Sequence, residues 1–141
     1  MKVNIYLETD KKSQIRTERK YGYVIETTYR GELLTRNGFG KIEGTYHQAN
    51  LQALMDSLER FNGKCEVEIH TKDTFVAART LRISEFAASG FLDTKGNPIK
   101  NANQWKDLHK KITECGITIT TKAGKHTYSQ WMLEQMKEKE D

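Results

Sequence analysis

The feature that most constrains this chain is the order in which two apolar periodicities follow one another. Val3, Ile5 and Leu7 alternate with Asn4, Tyr6 and Glu8, the period of two expected of a half-buried strand. The same period returns at Cys65, Val67 and Ile69, and again at Ile117 and Ile119. Between the first two of these, Leu51, Leu54, Leu58 and Phe61 fall on one helical stripe, with Thr45 as N-cap and Asn62–Gly63 as stop. A strand, a crossover helix and a strand predict parallel pairing.

Ahead of that unit, strands from about Tyr21 to Thr28 and from Glu32 to Thr35 turn at Arg30–Gly31 and form an antiparallel meander with the first. Gly38, Gly40 and Gly44 then predict a sharp bend or further extended chain. After the fourth strand comes a helix from Asp73 to Ala88, broken by Ser89–Gly90, and a loop holding Lys95, Gly96, Asn97 and Pro98. A helix from Ala102 to Cys115 carries Trp105, Leu108 and Ile112 on one stripe and stops at Gly116. A last helix starts near Thr127 and offers Trp131, Met132 and Met136 for packing, with both tryptophans assigned to the core. The expected fold is therefore α/β (α+β): one domain over 1–141, order βββ-α-β-α-α-β-α, a five-stranded mixed sheet with helices on both faces. Residues 136–141 are expected to form a frayed, charged tail.

Composition removes several function classes. No apolar run approaches the roughly 18–20 residues that span a bilayer, and MKVNIYLETD has no apolar stretch of signal-peptide type. No membrane partner and a cytoplasmic location are expected. Cys65 and Cys115 lack CxxC partners and are expected to be reduced and buried. No GxSxG, Walker loop or GxGxxG occurs, and the four histidines form no ligand pattern with Asp or Glu. The net charge of +4 permits a polyanionic partner without demanding one.

Five segments, in order, resemble type 1 ribonuclease H. VNIYLE at 3–8 is similar to the family's first strand, and HQANLQALMDSL at 47–58 to its first helix. EVEIHTKDTFV at 66–76 is similar to its fourth strand and the segment after it. NPIKNANQWKDL at 97–108 is the closest match, and the last helix completes the order. The resemblance runs over about residues 2–135. It implies a fold that hydrolyses the RNA strand of an RNA–DNA hybrid with two divalent metals held by carboxylates.

The family's acid positions are mostly substituted here. The first-strand Asp falls on Glu8, the first-helix Glu on Asn50 and the fourth-strand Asp on Lys72. The last falls near Ser129, Gln130 or Trp131, and the family's loop histidine corresponds to His126. Lys72 would lie beside Glu8 on the adjacent strand, so an ion pair is expected where the family holds metal. No cofactor is expected on this reading. The alternative is a relocated site of Glu8, Asp10 and Asp73 binding Mg²⁺ or Mn²⁺, although Asp73 also suits a helix N-cap and Asp10 a turn.

Binding without cleavage needs only cations and polar donors. Candidates are Lys11, Lys12, Arg16, Arg19 and Lys20 in the first turn, Lys100 and Asn101 before the third helix, and Lys122 and Lys125 before the last. Arg79, Arg82 and Lys95 extend the set, and Asn101 is also a candidate helix cap. Three functions are compatible with this pattern: a nucleic-acid-binding module that has lost hybrid cleavage, a protein-interaction scaffold, or a weakly active metal-dependent hybrid ribonuclease.

Overall fold

The structure is a computed structural model and describes residues 2–138. Strands β1 (Lys2–Thr9), β2 (Thr17–Tyr29) and β3 (Glu32–Gly44) pair antiparallel. Strand β4 (Cys65–Thr71) joins β1 in parallel, and β5 (Ile117–Ala123) joins β4 in parallel. The sheet order is β3-β2-β1-β4-β5, the mixed sheet expected. The helices are α1 (Tyr46–Leu58), α2 (Thr74–Leu81), α3 (Ile83–Ala88), α4 (Ala102–Cys115) and α5 (Ser129–Glu138).

The period of two divides β1 between two cores. Val3, Ile5 and Leu7 pack with Leu51, Leu54 and Leu58 of α1 and with Trp105 and Leu108 of α4. Tyr6 points the other way and packs with Val24 and with Met132 of α5. Thr45 caps α1 as expected, through a capping box in which its hydroxyl accepts from Gln48 N and the Gln48 side chain accepts from Thr45 N. Leu54 is fully buried, so truncation to Ala would cost about 2–5 kcal/mol.

Several expectations are corrected. Helix 73–88 is two helices, because Arg82 leaves the α region at φ −104°, ψ 14°. Of the two readings of the glycines after Thr35, a bend or further extended chain, the structure has the extended chain, and β3 runs through them. Gly38 and Gly40 lie opposite Tyr23 and Tyr21, and a Cβ at either would fall 2.6 and 2.5 Å from those side chains. The glycines make room for cross-strand aromatic rings. Trp131 is 39% exposed, one position off the Met132/Met136 stripe, and leans on Phe39 at 6.2 Å between centroids. Met136 is buried within α5, so the helix persists to Glu138; 139–141 lie outside the described residues. Cys65 and Cys115 are free but only half-buried. Among the described residues, no helix is long and apolar enough to cross a membrane.

Candidate nucleic-acid interface

The parallel register of β1 and β4 brings Glu8, at the end of β1, beside the chain leaving β4. Lys72 Nζ lies 3.1 Å from Glu8 Oε2, with the two side chains 15% and 2% exposed. This is the ion pair expected from the sequence. Burial weakens water's screening, so the attraction is strong, yet each ion has given up hydration to form it.

His126 closes the other side. Its Nε2–H donates to Leu7 O at 2.8 Å, and its Nδ1 accepts from Tyr128 N at 3.2 Å. Both ring nitrogens are used by one neutral tautomer. Burial pushes its pKa below the usual histidine value, against the pull of the Leu7 carbonyl and Glu8, and Lys72 adds to the lowering. The His126 amide donates to Ser129 Oγ at 3.1 Å, which puts a buried hydroxyl near the family's last acid position.

Asp73 forms a second knot. Its Oδ1 accepts from Val76 N at 3.1 Å, capping α2. Its Oδ2 lies 2.7 Å from His47 Nδ1 and 3.3 Å from Asn50 Nδ2. Asn50 Nδ2 also donates to Tyr46 O at 3.1 Å. The Tyr46 hydroxyl, buried and then repelled by the charges of Asp73 and Glu8, has its pKa pushed up to about 12.

This donor set does not fit a pair of divalent cations. Glu8 is held by an ammonium, Asn50 presents an amide nitrogen, and Asp73 is held by His47, Asn50 and a helix end. Asp10 Oδ1 accepts from Lys20 N at 2.9 Å. Among the described residues, no three His, Cys, Asp or Glu are grouped to hold a metal ion, so the relocated trio is not assembled.

Beside the ion pair lies a cleft of about 870 Å³, lined by Lys12, Lys72, Lys125 and Lys137 against Asp10 and Glu134. Lys72 is spent on Glu8, which leaves three lysines facing two acids, a small positive excess. Of the expected cations, Lys12 and Lys125 line this cleft, whereas Arg16 and Asn101 line a second of about 610 Å³ near the starts of α1 and α4. Lys100 is exposed. Lys11 Nζ donates to Glu18 O, Lys20 Nζ donates to Met136 O, and Lys122 Nζ is 3.8 Å from Glu68.

Arg19 and Asn101 depart from their expected roles. Arg19 is 1% exposed and donates to the carbonyls of Gly44, Lys11 and Ile15, so it ties the first turn to β3. Asn101 opens α4 without capping it: at φ 62° its side chain makes no cap bond and its Oδ1 accepts from Gln48 Nε2 at 3.0 Å. Two members of the site carry no sequence signal that marks them. Lys137 sits in a segment whose composition predicts a frayed tail, and His47, although it opens the segment at 47–58, forms no ligand pattern with Asp or Glu in the sequence.

Comparison with family models and with curated proteins finds no match. Solved structures do match. The strand order and parallel crossover are those of the ribonuclease H class, and the structure is similar to a foamy viral protease–reverse transcriptase solved with an RNA/DNA hybrid. There the TM-score is 0.71 at 18% identity, covering 95% of this chain and 19% of that one. The RNase H domain of PFV gives 0.65 at 20% identity, covering 94% and 86%. LC9-RNase H1, a type 1 RNase H with the type 2 active-site motif, gives 0.69 at 14% identity, covering 97% and 69%. The chain has the ribonuclease H-like fold; at these identities the likeness concerns fold alone.

Proposed function

We propose that this chain is a ribonuclease H-like nucleic-acid-binding module that has lost hybrid cleavage. The observation that carries this reading is Lys72 Nζ at 3.1 Å from the buried Glu8 carboxylate, an ammonium where the fold's chemistry needs a metal. Lys72 neutralises Glu8, so the strand ends no longer repel phosphate. The lysines of the adjoining cleft then attract it without a divalent cation. That foamy viral protease–reverse transcriptase is solved with an RNA/DNA hybrid and with dsDNA supports nucleic acid as the ligand class. The module works in the cytosol, where Cys65 and Cys115 stay reduced.

A gel titration of RNA–DNA hybrid, duplex DNA and duplex RNA, in Mn²⁺ and in EDTA, tests this. Retarded, intact hybrid in both conditions is expected. Replacing Lys12, Lys125 and Lys137 by Gln should flatten the salt dependence, by about 0.9 in slope for each phosphate no longer neutralised. Mn²⁺-dependent cleavage would restore the enzyme reading. A second reading, a protein-interaction scaffold, is favoured by Tyr29, Leu33 and Leu34, exposed by 49%, 61% and 45% at the β2–β3 turn. Failure to shift any duplex would move the weight there.

A further inference from the structure

We propose that Arg79 is a preformed receptor for a backbone phosphate of a nucleic-acid strand, held ready by the rings of Phe75 and Phe86. This rests on the nucleic-acid reading for its ligand but on different residues. The Arg79 guanidinium carbon lies 4.4 Å from the Phe75 ring centroid and 5.1 Å from that of Phe86. Phe75 is in turn stacked on His47, with centroids 4.4 Å apart and an angle of 27°, and His47 is fixed by the buried Asp73. A chain of contacts therefore runs from the substituted acid site, through α2, to a half-buried arginine.

The donors of that guanidinium are unspent. Among the described residues, the Arg79 guanidinium makes no hydrogen bond or ion pair, whereas that of its neighbour Arg82 is bound to Glu85 at 2.9 Å. Aromatic contact engages the face of a guanidinium and leaves its in-plane N–H groups directed outward. A phosphate needs that fork, bidentate and planar. The rotamer entropy a free arginine loses on binding has been lost already in the fold, which raises affinity. The last turn of α2 favours any cation, but the two flanking rings favour the planar one.

Two measurements on the full chain test this. The first follows the arginine Nε–H resonances by NMR as inorganic phosphate is added at low ionic strength. Arg79 is expected to shift saturably, and Arg82 much less. The second measures binding of single-stranded and hybrid oligonucleotides to wild type, Arg79→Ala and Arg79→Lys. Both variants should bind about tenfold more weakly, since Lys keeps the charge and loses the fork. Phe75→Leu should weaken binding in the same direction. An unmoved Arg79 resonance with equal affinities overturns the receptor while leaving the proposed function standing. A saturable Arg79 shift in a protein that binds no strand supports the anion receptor and overturns the nucleic-acid ligand. Full retention of affinity in Arg79→Lys overturns the argument from planarity.

Discussion

Glu8 and Asp73 stand at neighbouring strand ends, 3% and 1% exposed, and the fold neutralises them in different ways. Glu8 is met by one ammonium, from Lys72 at Oε2, and by the Thr9 N–H, which donates to Oε1 at 3.3 Å. Asp73 is met by a helix-end N–H, an amide and an imidazole nitrogen. Two buried acids at adjacent strand ends would repel each other unless a cation lay between them. The comparison teaches that the site has kept its acidity while giving each carboxylate its own partner.

The sharpest way to break the comparison is Lys72→Ala. It leaves Glu8 buried without its counter-ion, and should cost about 3–5 kcal/mol, read as a lower denaturant midpoint. Adding Glu8→Gln to Lys72→Ala should recover most of that loss, and simple additivity of the two single changes would refute the pairing. Asp73→Ala should cost less, about 2–3 kcal/mol, because it removes a cap and charged hydrogen bonds without stranding a charge. Asp73→Asn, which keeps an oxygen for Val76 N, should cost roughly half as much.

The pH dependence separates the two knots further. Burial lowers the pKa of His126 and of His70 below 6.5 in the folded state. The unfolded chain therefore takes up protons first, and stability falls as pH drops below about 6.5, levelling off only below the lowered native values. His126→Asn should flatten part of this slope in denaturation profiles. At the alkaline end, Tyr6 and Tyr128 share Glu26, by hydrogen bonds of 3.3 and 2.6 Å, and burial chiefly pushes each up to about 12. Stability carried by these hydroxyls is present below pH 10 and is lost as pH rises towards 12. Tyrosinate absorbance should show Tyr6 and Tyr128 titrating late, together with Tyr46 and Tyr21, and Glu26→Gln should bring only the first two down.

Much of this is legible in the sequence because it depends on local pattern. The alternation at Val3, Ile5, Leu7 and at Cys65, Val67, Ile69 sets the two strands, and the helix between them sets the parallel crossover that brings Glu8 to Lys72. Thr45 and Asp73 are visible as caps because capping depends on a few adjacent residues. The hidden part depends on distant partners. Gly38 and Gly40 leave a bend and extended chain both open in the sequence, since the rings they accommodate belong to β2. Arg19 reads as a surface cation, since the carbonyls that consume it come from three separate positions. Nothing near Arg82 marks a break, because neither Pro nor Gly stands there. Arg79 and Arg19 are the same residue type in sequence; only the fold shows that Arg19 is spent and Arg79 is open to a ligand.

The most direct test of the central substitution is a Mn²⁺ titration followed by paramagnetic broadening of backbone amide signals. We expect the amides of residues 8–10 and 72–73 to stay sharp in the wild type and to broaden in Asn50→Glu/Lys72→Asp, where two carboxylates are restored. Saturable broadening at Glu8 and Asp73 in the wild type, at micromolar Mn²⁺, would contradict the substitution by showing that metal still binds where Lys72 is held to have replaced it.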